Sequence, residues 1–138
     1  MVESLEALDA VVLYDTLPAG KRGFSILSSI TGVMGDDLVN IRPRPWRLDF
    51  MNDSDACENA LHDLYAAHMI ILSTSGNTPL TSEFKIWFAT IMCQRKGERI
   101  AVVALLGTEE SSSQTSSRDL QFIQQLTLEA ELDFFAPS

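Results

Sequence analysis

Two short loops, rich in small and hydroxyl residues, carry the side chains of this chain that are best placed to do chemistry. One spans residues 15–21 after an apolar run at 11–14, and the other spans residues 73–79 after an apolar run at 69–72. In an open parallel sheet, loops after the carboxyl ends of strands line the crevice in which ligands bind. A helix follows each loop, and the backbone N–H groups at a helix start favour an anion. The loops therefore predict a crevice with Asp15 as its carboxylate and many hydroxyls around it, which suits a small polar ligand or no ligand at all.

The other reactive side chains are not spaced for catalysis or metal binding. His62 and His68 lie six residues apart, whereas two metal ligands on one helix need a spacing of three or four. The chain has no G-x-S-x-G nucleophile elbow, and Ser73 has no evident base partner. Cys57 and Cys93 lie outside any CxxC pair, so reduced thiols are expected. The sequence thus predicts no catalytic residue and no metal site.

Charge and composition narrow the range of partners. The net charge of −9 repels nucleic acid and anionic membranes, because phosphate binding needs a basic surface. Hydrophobic residues make up 46% of the 138 positions, which suits one domain spanning residues 1–138. No apolar run reaches the ~18 residues that a membrane span needs. The acidic N-terminus lacks the pattern of a signal peptide, so a cytoplasmic protein is expected.

One basic cluster stands out against this acidic background. Arg42, Arg44 and Arg47 alternate with two prolines and with Trp46. Three arginines can bind an anion or an acidic partner. The alternative is a solvated approach to a strand, and both interpretations remain open at this point.

Apolar runs alternate with helical patterns along the chain. Strands are predicted at residues 11–14, 46–51, 69–72, 100–106 and 132–136. The predicted helix caps after strands two, three and four are Asp53 or Ser54, Thr81 or Ser82, and Ser116 or Ser117. This alternation predicts a three-layer α/β/α sandwich around a five-stranded parallel sheet of order 2-1-3-4-5. The switch point of that order lies between strands 1 and 3, which places the two loops side by side.

The sequence ends directly after the fifth predicted strand and shows no closing helix there. Part of one sheet face is then expected to be bare, and an exposed apolar face is costly in water. We therefore expect a homodimer that covers this face, or a cover formed by residues 1–10.

Two segments resemble the receiver domain of bacterial response regulators. Residues 14–18, Tyr-Asp-Thr-Leu-Pro, look like the receiver's Val-Asp-Asp-x-Pro after strand 1, and residues 132–137, Leu-Asp-Phe-Phe-Ala-Pro, look like its Asp-Phe-Leu-x-Lys-Pro. Thr16 replaces the second acidic residue that holds Mg²⁺, and Ala136 replaces the lysine. Ser73 or Thr74 stands where a receiver has its phosphoacceptor aspartate. A hydroxyl cannot form the acyl phosphate and one carboxylate holds Mg²⁺ poorly, so the resemblance implies a degenerate receiver that does not accept phosphate.

A second resemblance is to the flavodoxin-like flavoproteins, which include FMN and quinone reductases. Residues 75–79, Ser-Gly-Asn-Thr-Pro, followed by residues 84–87, Phe-Lys-Ile-Trp, look like the family's segment after strand 3. In that family the loop after strand 1 holds the FMN phosphate with hydroxyls and backbone N–H groups. The resemblance implies close backbone approach at Gly20 and charge neutralisation by Lys21. The residues that it assigns to FMN are Thr16, Gly20, Lys21, Ser73, Thr74, Ser75, Asn77 and Thr78.

The chain also departs from the flavodoxin pattern. Its Gly-Asn-Thr, residues 76–78, follows strand 3 rather than strand 1. The loops after strands 3 and 4 hold no aromatic residue to stack on a flavin, and Glu109 and Glu110 would repel a phosphate. Two hypotheses follow: a non-catalytic regulatory or binding module that acts by protein contact, or an FMN-binding oxidoreductase or electron carrier.

Overall fold

A five-stranded, wholly parallel sheet of order β2-β1-β3-β4-β5 forms the centre of the protein. The computed structural model describes residues 7–34, 40–76, 79–107 and 114–136. The strands are β1 Ala7–Tyr14, β2 Asn40–Arg47, β3 Met69–Thr74, β4 Ala101–Leu106 and β5 Asp133–Phe135. The helices are α1 Leu17–Met34, α2 Ser54–Ala66, α3 Ser82–Gln94 and α4 Gln114–Glu129, and a 3₁₀ helix spans Leu48–Asn52. The predicted fold class and strand order are confirmed.

Side chains alternate between two cores because successive strand residues point to opposite faces of the sheet. Val11, Leu13, Ile70 and Leu72 pack in one core with apolar residues of α2, α3 and α4. The intervening residues, among them Val12 and Ile71, pack in a second core with residues of α1. No helix among the described residues is long and apolar enough to cross a membrane.

The first two strands begin earlier than the sequence predicts. β1 begins at Ala7 rather than at residue 11, because the carboxylate of Asp9 is neutralised by Arg42 on the neighbouring strand and so tolerates burial. The prediction of a second strand at 46–51 is wrong: β2 is Asn40–Arg47, and a 3₁₀ helix follows it. β2 is an edge strand, and its two prolines, Pro43 and Pro45, occupy alternate positions, where the missing N–H groups need no ladder partner.

Two of the three predicted helix caps are confirmed. Asp53 accepts hydrogen bonds from the first-turn N–H groups of α2, and Thr81 accepts one from the N–H of Phe84 in α3. The third cap is wrong, because α4 begins at Gln114, before Ser116 and Ser117. Gly97 has a φ of 78° just after α3, a backbone conformation that favours glycine. The sequence pattern also predicts that Gly35 and Asp36 end α1, and both lie outside the described residues.

α1 lies unusually close to the sheet. A Cβ atom placed on Gly23 would come within 2.9 Å of Val12 Cγ1, so glycine is needed where the helix crosses β1. This close approach brings the first turns of α1 against the carboxyl ends of β1 and β3. It therefore sets the position of every α1 residue that reaches the loops.

The sheet face under α1 is less bare than the sequence suggests. Val103 and Leu105 of β4 belong to this face and are only 3% and 7% exposed. Phe135 of β5 pairs with Val103 and is 54% exposed. The alternative cover, residues 1–10, falls mostly outside the described residues. Among the described strand residues of this face, Phe135 is therefore the large apolar side chain that is exposed.

Candidate functional site

The loop after β1 uses its own donors and acceptors to start α1. The hydroxyl of Thr16 accepts a hydrogen bond from the N–H of Ala19 at 3.3 Å, and the carbonyl of Thr16 accepts one from Gly20 at 2.9 Å. Pro18, the second helical residue, has no N–H group. Two of the first three helical positions therefore offer no free donor to a ligand, which weakens the anion site that a helix start usually provides.

The carboxylate of Asp15 binds the donors of Ser75, the first residue after β3. The N–H of Ser75 donates to both oxygens of Asp15, at 2.9 and 3.1 Å, and the hydroxyl of Ser75 donates to Oδ2 at 2.9 Å. Hydrogen bonds to an ionised acceptor are stronger than neutral ones. The crevice thus holds an anion that belongs to the chain itself.

Ser73 and Gly20 serve the packing of α1 on the sheet. The side chain of Ser73 is fully buried, and its hydroxyl donates to the carbonyl of Ala19 at 2.7 Å. A Cβ atom on Gly20 would lie 3.1 Å from the ring of Tyr14, so the glycine makes room for an aromatic side chain of its own chain. These two positions therefore have a structural explanation that involves no ligand.

Arg22 joins α1 to the carboxyl ends of β3 and β4. Its Nη1 donates to the carbonyl of Gly107 at 2.6 Å, and its Nη2 donates to the carbonyls of Leu105 at 2.6 Å and Thr74 at 3.1 Å. Carbonyls at the ends of strands have lost the regular ladder and need other partners. A planar guanidinium donates to them from two separate nitrogens in a fixed geometry, whereas a lysine carries all its donors on one nitrogen.

Burial perturbs Arg22 itself. Loss of water around the guanidinium lowers the pKa of Arg22 from its ordinary value, and the charge of Asp15 acts in the opposite direction. The Nε atom of Arg22 is buried and has no hydrogen-bond partner among the described residues. Arg22 and Asp15 thus carry opposite charges at the edge of the crevice, where Arg22 binds the strand ends and Asp15 binds the loop after β3.

A cavity of about 250 Å³ remains beside these contacts, between the 3₁₀ helix, the ends of β1 and β3, and the start of α3. Three carboxylate residues line it, Asp15, Asp49 and Glu83, and neither lysine nor arginine is among its lining residues. Ligand pockets usually hold roughly 300–1,000 Å³. The cavity is therefore small, and its charge opposes a phosphate.

The residues that the flavodoxin resemblance assigns to FMN lie at different places in and around the cavity. Of the described ones, only Thr74 lines the cavity, while Thr16, Gly20, Ser73 and Ser75 lie beside it in internal contacts. Lys21 is exposed on α1. Asn77 and Thr78 lie outside the described residues. The two loops do meet at the switch point, because β1 pairs with β3.

Arg22 is the site residue that sequence reasoning missed. It lies three positions after Ala19 and four before Ile26, on the inner stripe of α1, where an arginine contradicts the apolar pattern. A charged residue in an apolar helix stripe needs a partner inside the protein. The position of Arg22 in this stripe is therefore the sequence feature that could have identified it as a site residue.

The basic cluster is paired with acids of the same chain. Arg42 bonds Asp9 at 2.9 Å, and Arg44 lies 3.8 Å from Asp9 and 3.6 Å from Asp63. Arg47 lies 3.8 Å from Asp49 on the 3₁₀ helix. The arginines therefore lie within β2 rather than on an approach to it, and their side chains are partly exposed and face acids of the same chain.

Cys57 and Cys93 are free thiols on α2 and α3, as expected. Over the described ranges, no three His, Cys, Asp or Glu side chains come together in a group that could hold a metal ion.

Comparisons with known proteins support the fold of this chain and do not identify its function. No protein-family model and no curated protein matches the chain. A solved structure of Streptococcus pneumonia TIGR4 flavodoxin, characterised structurally and biophysically as a novel drug target, is similar with a TM-score of 0.56 and 10% sequence identity. The match covers 94% of this chain and 81% of the flavodoxin. The fold is flavodoxin-like. At this identity the likeness shows the fold alone, so the receiver resemblance stays a prediction.

We predict that Arg22→Lys destabilises the protein by ~2 kcal/mol, because the single nitrogen of a lysine cannot take the positions of both Nη atoms and leaves the carbonyl of Gly107 or of Leu105 without this donor. Urea unfolding followed by circular dichroism measures the change. Arg118→Lys on exposed α4 is the matched control, with an expected change below ~0.5 kcal/mol. Equal stability of the two variants would show that Arg22 does not hold the strand ends.

Proposed function

We propose that this chain is a non-catalytic binding module that acts by protein contact, as a degenerate receiver would. The observation that carries the proposal is the bond network between Asp15 and Ser75. It uses the backbone and hydroxyl donors of Ser75, which a ligand could otherwise bind at the carboxyl edge of the sheet. A module whose crevice offers a small, acidic cavity has its outer surfaces left for recognition.

The end of β3 supports the receiver form of the proposal. Ser73, at the position of the phosphoacceptor, is fully buried and bonded to the carbonyl of Ala19. Thr74 is 5% exposed, and its carbonyl accepts from Arg22. The hydroxyl of Ser73 is therefore not presented to an incoming phosphoryl group, and the carboxylate of Asp15 is already bonded to Ser75.

FMN binding is the second candidate, and the likeness to a flavodoxin favours it. The described residues do not fit the FMN phosphate. Ala19 donates its N–H to Thr16, Pro18 has none, and the donors of Ser75 are taken by Asp15. The carboxylates around the cavity add repulsion. We therefore place the flavoprotein hypothesis second.

We predict that FMN neither binds the purified protein nor raises its melting temperature. A ligand at about 100 times its Kd adds ~2.7 kcal/mol of stability. In a domain of this size that raises Tm by roughly 5–10 °C, so binding would be easy to see. Thermal unfolding with and without excess FMN, together with the visible spectrum of the purified protein, makes the measurement.

A flavodoxin apoprotein treated in parallel establishes that the assay detects FMN. A yellow preparation, or a saturable rise in Tm with FMN, would contradict the proposal and favour the electron carrier.

The receiver form predicts that acetyl phosphate with Mg²⁺ leaves the protein unmodified, because the hydroxyls at the end of β3 are buried and one carboxylate holds Mg²⁺ poorly. Intact-mass spectrometry measures the outcome, and a receiver with its full acidic set serves as the positive control. Phosphorylation mapped to Asp15, Ser73 or Thr74 would overturn the degenerate assignment.

A homodimer remains a further proposal, confined to the sheet face under α1. Phe135 is 54% exposed there, beside buried Val103. We predict that light scattering finds twice the mass of one chain, and that Phe135→Ser shifts the protein towards monomer by removing an apolar contact. Leu128→Ser, at a 70% exposed site on α4, is the control and should leave the mass unchanged. A wild-type protein with the mass of one chain in light scattering would contradict the homodimer proposal.

A further inference from the structure

A second cavity lies away from the crevice, on the side of the sheet that carries α2 and α3. It is a groove of about 450 Å³, within the range of roughly 300–1,000 Å³ that binding pockets occupy. We call it the α2–α3 groove. Its lining residues are Asn52, Ser54, Cys57, Glu58, Leu61 and Trp87.

The floor of the α2–α3 groove is apolar. Cys57 and Leu61 lie one turn apart on α2, and Trp87 faces them from α3. All three are partly exposed and pack against the larger core. Tyr65 follows Leu61 by one turn, is 38% exposed, and extends the apolar stripe of α2. Such a floor accepts an apolar side chain.

The rim of the groove is acidic. Glu58 lines it from α2 and is exposed. Glu83 lies one turn before Trp87 on α3 and lines the neighbouring crevice, whose wall shares Asn52 with the groove. Neither lysine nor arginine lines either cavity. With the net charge of −9, this rim attracts a basic partner and repels an acidic one.

We infer that the α2–α3 groove docks a segment of another protein in which an apolar side chain is flanked by lysine or arginine. The inference rests on the proposed function, since it names the surface through which a contact module would act. The apolar side chain enters between Leu61 and Trp87, and the flanking cations meet Glu58 and Glu83. Helical segments with this pattern commonly bind in grooves between two helices.

The probe is a fluorescent synthetic peptide with an amphipathic helical pattern of leucine and lysine, and the same pattern with glutamate is the negative peptide. We expect the lysine peptide to bind the full chain saturably, and the glutamate peptide not to bind. Glu58→Lys should weaken the binding of the lysine peptide about tenfold, because it places like charges together at the rim. Glu129→Lys, an exposed glutamate on α4, should change it by less than about twofold.

The alkylation rates of Cys57 and Cys93 show where the peptide binds. Cys57 lines the groove, whereas exposed Cys93 lies near the end of α3 and outside the lining. Bound peptide should slow the alkylation of Cys57 by N-ethylmaleimide and leave the rate at Cys93 unchanged. Circular dichroism checks that both charge variants stay folded.

Equal weakening in Glu58→Lys and Glu129→Lys would mean attraction by net charge alone and would overturn the inference. Unprotected Cys57 under saturating peptide would do so as well. These outcomes are separate from the fate of the proposed function. FMN binding or phosphorylation with Cys57 still protected would refute only the non-catalytic module, whereas failure of Cys57 protection without FMN binding would refute only the groove.

Discussion

A half-buried guanidinium organises the carboxyl edge of the sheet. Arg22 donates to carbonyls at the ends of β3 and β4, and it can reach them because Gly23 lets α1 approach the strands closely. Taking a charge partly out of water is costly, and the negative charge of Asp15 opposes the resulting fall in the pKa of Arg22. Asp15 is held by the donors of Ser75. The contacts of Arg22 therefore fix α1 against the strand ends, and those of Asp15 fix the loop after β3.

The same contacts decide what the crevice can accept. Ligands usually bind at this edge of an open α/β sheet because its helix starts and loops offer free donors. Here Thr16 caps its own helix, and Asp15 supplies the anion. The cavity that is left is small and lined by carboxylates. We propose that a partner protein is recognised at the outer surface instead, where the α2–α3 groove combines an apolar floor with an acidic rim.

The architecture could be predicted from the sequence because hydrophobic periodicity and capping residues act locally. Alternation of strands and helices indicates the sheet order, and Asp53 and Thr81 mark helix starts through contacts within three residues. The bounds of β2 were wrong because its prolines and arginines, residues 42–45, lack the apolar pattern of a strand, although the predicted edge position tolerates them. The site was harder still. Ser75 and Asp15 are 60 positions apart, and local sequence does not show that one consumes the donors of the other.

The carboxylate of Asp15 occupies the N–H and hydroxyl donors of Ser75 in the crevice, and the proposed function depends on this contact. Amide hydrogen exchange at Ser75, followed by NMR, tests it most directly. The account predicts a protected Ser75 amide in the wild-type protein and exchange at least about tenfold faster in Asp15→Ala, because a charge-assisted hydrogen bond is lost. Asp53→Ala removes a carboxylate that caps α2 and should leave Ser75 protected. An unprotected Ser75 amide in the wild-type protein, or protection that survives Asp15→Ala, would contradict the account.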